Sequence, residues 1–166
     1  MKGGMQLEAI SQRIEAVRAR PVAELLECPE EIGQMLNGSS QCIPFVAGET
    51  IFRQAGVSRG IYLVVSGLLQ RRAERLETRV TLAPARVGDL VELAASLGDG
   101  RHTYTLTAQS AGSVLLLPKA ALDEAFQRYP PFRMRLLEEL AREVSRAYST
   151  TCLCRTATHR RASAAD

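Results

Sequence analysis

The sequence predicts a mainly β protein with flanking helices: an antiparallel β-roll set between an N-terminal helical segment and a long C-terminal helix. Two observations predict it. The hydrophobic period is helical up to the turn at Asn37-Gly38, changes to roughly two from Cys42 to Leu117, and returns to helical from Lys119. Glycines at 48, 56, 60, 67, 88, 98, 100 and 112 cut the middle stretch into short strands, the pattern of a closed roll or barrel.

Each element has its own signal. Leu7, Ile10, Ile14 and Val17 put one apolar stripe on a helix over 5–19, which Pro21 ends. Val22, Leu25, Leu26, Ile32, Met35 and Leu36 continue helically, interrupted at Cys28-Pro29, and Asn37-Gly38-Ser39-Ser40 is a turn. The strand candidates follow at Ile43 and Phe45, Ile51, 61–65, 68–69, 80–82, 90–91, 104–106 and 114–117. Pro118 precedes a short helix from Lys119 to Arg128. Pro130-Pro131 then opens a long one, where a missing amide proton costs nothing. Along that helix Leu137, Leu140, Val144 and Ala147 recur at coiled-coil spacing and predict a parallel seam between two chains, with Leu136 beside it free to touch the roll. The expected organisation is therefore 1–40 helical segment, 41–118 β-roll sensor core, 119–150 C-terminal helices including the dimerisation helix, and 151–166 disordered tail. That tail carries no apolar pattern.

Composition narrows the function. The net charge of +3 owes much to Arg155, Arg160 and Arg161 in the tail, so no concentrated basic face marks a nucleic-acid surface. No apolar run reaches the roughly 20 residues that span a bilayer, and no signal-peptide core follows Met1, so a cytoplasmic setting without membrane attachment is expected. Cys152, Cys154 and His159 make an incomplete metal set, and no metal site is expected. An enzyme of the cupin type needs several histidines and a Glu inside a barrel, whereas this chain has only His102 and His159. No nucleophile–base pair is visible either, and a non-catalytic protein is expected.

The stretches "FVAGETIFRQAG", "GIYLVVSGLLQ", "VGDLVELAASL" and "LLLPKAALDEAFQRYPPFRMRLLEELAREV" carry a resemblance. In order and spacing, over about residues 42 to 148, they resemble the sensor domain of the Crp/Fnr superfamily, with its cyclic-nucleotide-binding-domain fold. The resemblance implies a double-stranded β-helix or jelly roll, a regulatory role in signal sensing, a homodimer through the C-terminal helix and a small-molecule effector, cyclic nucleotide or other. The winged helix-turn-helix that continues full-length regulators is expected to be missing from this chain.

In nucleotide-binding members the phosphate-binding cassette reads roughly G-x-x-x-G-E-L-A, followed by an R-S-A-type strand start. Its Glu holds the ribose and its Arg the cyclic phosphate. Here the matching residues are Gly88-Asp89-Leu90-Val91-Glu92-Leu93-Ala94, without the Gly before Glu. Either Glu92 or Leu93 takes the Glu position. Counting back from Thr107-Ala108 puts His102 at the Arg position, between Arg101 and Thr103. The resemblance thus makes Gly88, Glu92, Leu93, Ala94, Arg101, His102 and Thr103 the candidate ligand-binding residues. The family's base-contacting hydroxyl pair falls at Ala147 and Tyr148, of which Tyr148 can stack or hydrogen-bond. Losing two charge-assisted hydrogen bonds weakens binding by about 3–6 kcal/mol, so the cassette is expected to be degenerate. Three alternatives stay open: a sensor of another effector, a true cyclic AMP or cyclic GMP domain, and a scaffold whose pocket is filled by Leu90, Leu93 and Leu97. Cys28 and Cys42 stand too far apart and too alone for an iron–sulfur cluster, and His102 and Cys42 are the only candidates for a haem ligand.

Overall fold

A computed structural model describes residues 22–75 and 78–145, with the side chains of 75–80 left aside. The helix expected over 5–19, Ala147, Tyr148, the cysteines at 152 and 154 and the tail lie outside the described residues.

Two short helices come first, α1 (Val22–Leu26) and α2 (Glu30–Ser39). They are separated at Cys28-Pro29, where Glu27 takes a left-handed φ of 48°. Eight strands follow: β1 (Gln41–Phe45), β2 (Thr50–Phe52), β3 (Gly60–Ser66), β4 (Leu69–Arg75), β5 (Thr78–Thr81), β6 (Leu90–Val91), β7 (Thr105–Ala108) and β8 (Gly112–Pro118). Helix α3 (Leu93–Leu97) interrupts them after β6, and α4 (Lys119–Arg128) follows β8. The last helix, α5, runs over 130–145, beginning at the proline pair.

The strands form two four-stranded antiparallel sheets, ordered β1-β8-β3-β6 and β2-β7-β4-β5. Neighbours distant in sequence alternate between the sheets, which is the wrapping of a jelly roll. The crossing from β3 in one sheet to β4 in the other turns at Gly67, whose φ of 89° is left-handed. A Cβ there would lie 2.9 Å from the Ala111 carbonyl.

The continuous apolar runs at 61–65 and 114–117 have a physical reason. Their sheet is buried on both faces, so alternate residues serve two cores. Tyr62, Val64, Val114 and Leu116 face the roll interior with Phe45, Phe52, Leu69, Val91, Tyr104 and Leu106. Ile61 and Leu117 face the other way, into a helical layer built from Val22, Leu26, Ile32, Leu36, Leu122, Phe132 and Leu136. The roll and its helices thus share one wall.

Candidate functional site

The cassette begins just before β6. Gly88, at φ 92°, closes a turn whose amide donates to the Val64 carbonyl at 2.9 Å, and Asp89 accepts from the Arg86 amide through its side chain at 2.9 Å. β6 pairs with β3 through Tyr62 opposite Val91, so the chain enters the roll wall at Val91. Glu92 then adopts a φ of 73°. A left-handed L-residue is strained by roughly 1–2 kcal/mol, and glycine would relieve it. The missing Gly therefore has a structural counterpart: Glu92 sits on the backbone conformation that a glycine favours.

That reversal separates Glu92 from Leu93. The Glu92 side chain is fully buried on the roll side and its carboxyl Oε2 lies 2.6 Å from His102 Nδ1. Its amide donates to the Tyr104 hydroxyl at 3.2 Å. Leu93 begins α3 and packs into the helical layer, joined there by Leu90 and Leu97. Two expectations are corrected by this. Leu93 does not take the place of the cassette Glu, and Leu90, Leu93 and Leu97 do not fill the pocket, because all three belong to the opposite side of the shared wall.

The far end of the cassette is stitched to the turn before β3. The His102 amide donates to Gly56 O and its carbonyl accepts from Ala55 N, both at 2.8 Å. The buried His102 ring lies parallel to Phe52, 3.9 Å between centroids. Arg101 faces solvent, with its guanidinium donating to the Ala55 carbonyl at 3.0 Å, so it is not brought to Glu92. Thr103 is exposed, but its amide and hydroxyl lie near the Glu92 carboxyl. Ala94 is half-buried on α3. Of the candidate residues, the structure brings together Glu92, His102 and Thr103. Gly88 supplies the entrance turn.

The electrostatics follow from burial. Loss of water pushes the Glu92 carboxyl up to about 8, against the opposing pull of the Thr103 amide, with Glu143 raising it further and Arg71 lowering it. Burial also pushes the His102 imidazole down. At neutral pH the pair thus holds one titratable proton and no net charge across the 2.6 Å contact, and burial favours placing that proton on the carboxyl. Glu92 Oε1 is buried with no hydrogen-bond partner among the described residues.

One further group escaped the sequence reading. Arg71, on β4, has a side chain only 11% exposed. It donates to Glu143 of α5 at 2.6 Å and lies over the Tyr104 ring at 5.7 Å. The signal was the period-two register from Leu69, which places residue 71 on the inward face.

With this geometry in view, the comparisons can be read. The chain belongs to the cyclic nucleotide-binding domain family, whose model matches residues 42–129, more than half of its length. It is a cyclic-nucleotide-binding-like domain of the type carried by Crp/Fnr regulators. The structure is similar to the Thermus thermophilus catabolite activator protein (TM-score 0.65, 26% identity), covering 76% of this chain and 60% of that one. The chain therefore spans less than two thirds of that protein. It is also similar in fold to the sensor domain of the transcriptional regulator DNR from Pseudomonas aeruginosa (TM-score 0.62, 19% identity, covering 72% and 91%). A third likeness is to the N-terminal domain of a transcriptional regulator from Streptomyces coelicolor (TM-score 0.56, 22% identity, covering 74% and 87%). No curated protein sequence matches the chain. Among the described residues no helix is long and apolar enough to cross a membrane.

Proposed function

We propose that the chain is a non-catalytic, Crp/Fnr-type sensor module whose cassette is closed to cyclic nucleotides by its own Glu92–His102 pair. The observation that carries this reading is the 2.6 Å buried contact between the two residues. At the position where the resemblance expects a phosphate-binding Arg stands His102, already engaged with Glu92 and held towards its neutral form by burial. Arg101 is tied to Ala55 at the surface. Opening the pair strands two buried polar groups, at about 1–3 kcal/mol each. Phe52, Tyr62 and Tyr104 line the same interior and leave the pair enclosed.

The described part of α5 supports a homodimer in modified register. Leu140 packs against the helical layer of its own chain, while Met134, Leu137, Ala141 and Val144 recur at spacings of 3, 4 and 3 on the other face. Met134 and Val144 are each 59% exposed. This stripe shares Leu137 and Val144 with the seam read from sequence. The function is then that of a cytoplasmic dimeric regulator, its core at 41–118, answering to an effector other than a cyclic nucleotide.

Titration calorimetry with cyclic AMP and cyclic GMP tests the closure. No saturable heat is expected up to about 1 mM, the weak end of specific binding. A micromolar Kd for either nucleotide would replace this reading with that of a true cyclic nucleotide receptor.

A further inference from the structure

On β4, Leu69 and Ala73 belong to the roll core, and Arg71 lies between them on the same inward face. A permanently charged side chain in that row is costly to bury unless it is paired. Its pairing is incomplete. Nη1 donates to Glu143 at 2.6 Å. Nη2 is 3.8 Å from Asp89 Oδ2, beyond hydrogen-bonding reach, and that oxygen already accepts from the Arg86 amide. Nε is buried with no partner among the described residues. The Nε–Nη2 edge is the one on which two oxygens of a single oxyanion fit side by side. The guanidinium lies beside the cassette: it sits over Tyr104 at 5.7 Å, and both Arg71 and Glu143 act electrostatically on Glu92 and Tyr104.

We propose that Arg71 anchors an anionic effector, through a carboxylate or phosphate group, in competition with Glu143 of α5. In the resting protein Glu143 is the internal stand-in for that anion and ties the long helix to the roll. An effector that takes the guanidinium releases Glu143 and so changes how α5 is held, which is the element proposed to join two copies. The inference rests on the reading of the chain as an effector-sensing module.

The test uses inorganic phosphate and, separately, acetate, titrated at constant ionic strength against a chloride control. The readout is the backbone amide resonance of Tyr104 in the full chain, the ring over which the guanidinium lies and which every variant keeps. Glu143→Gln should bind one of the two anions at least tenfold tighter than wild type, and the tighter anion names the effector class. Adding Arg71→Gln should abolish the binding. If that double variant does not fold, Glu143→Gln with Arg71→Lys should bind at least tenfold more weakly than Glu143→Gln alone. Binding of neither anion to Glu143→Gln overturns the proposal, as does binding indifferent to the residue at 71. Either result leaves the closed-cassette reading standing if cyclic nucleotides remain silent in calorimetry.

Discussion

Glu92 and His102 share one proton, and that sharing fixes how stability depends on pH. The folded carboxyl is raised from its ordinary 4.5 to about 8, so its contribution is full below 4.5 and is lost as pH rises through 8. The folded imidazole is depressed below its ordinary 6.5, so its contribution is full above 6.5 and is lost as pH falls. Below 6.5 the unfolded imidazole takes up a proton to match the one kept by the folded carboxyl, and the alkaline slope flattens. From 6.5 towards 8 the folded pair alone keeps its proton, and stability falls by about 1.4 kcal/mol per pH unit. Glu92→Gln removes that alkaline slope relative to wild type and leaves a loss of stability as pH falls through 6.5, because His102, with its lowered imidazole, is then the only titrating partner. Urea unfolding across this range reads the difference, and parallel curves for the two proteins would contradict the shared proton. This pair was half legible in the sequence. The resemblance marked both residues, but a left-handed glutamate defies local preference, and so the sequence left Glu92 and Leu93 as equal choices.

At the scale of the element, α5 has two apolar faces that differ in what they touch. Phe132 and Leu136 are buried in the helical layer and Leu140 packs against it, four residues apart each time. Met134, Leu137, Ala141 and Val144 lie on the other side. Truncating Leu136 to Ala should therefore destabilise the monomer fold by about 2–5 kcal/mol. Val144→Glu should leave thermal stability per chain nearly unchanged and yield monomers by light scattering, since it places like charges in the proposed seam. Monomeric wild type, or a dimer that survives Val144→Glu, rules out the exposed stripe as the interface. The sequence showed an apolar helix with coiled-coil spacing but could not separate two overlapping stripes. Leu140 fits both by periodicity, and only the position of α5 against α1, α2 and α4 assigns it inward.

The whole molecule was the most legible level. The period changes at Cys42 and again at Lys119, and the first strand starts at Gln41 and the last ends at Pro118. What the pattern could not give was the contact across the roll. Arg71 and Glu143 are 72 positions apart, and no local rule links an inward strand position to one turn of a distant helix. The account's central claim is that this roll encloses a net-neutral acid–imidazole pair, Glu92 and His102, within its cassette. Nitrogen NMR of His102 between about pH 6 and 7.5, with and without cyclic AMP, measures it most directly. The account predicts a neutral imidazole with Nδ1 as acceptor and Nε2 protonated, unmoved by the nucleotide. A doubly protonated ring, or nitrogen shifts that follow added cyclic AMP, would contradict it.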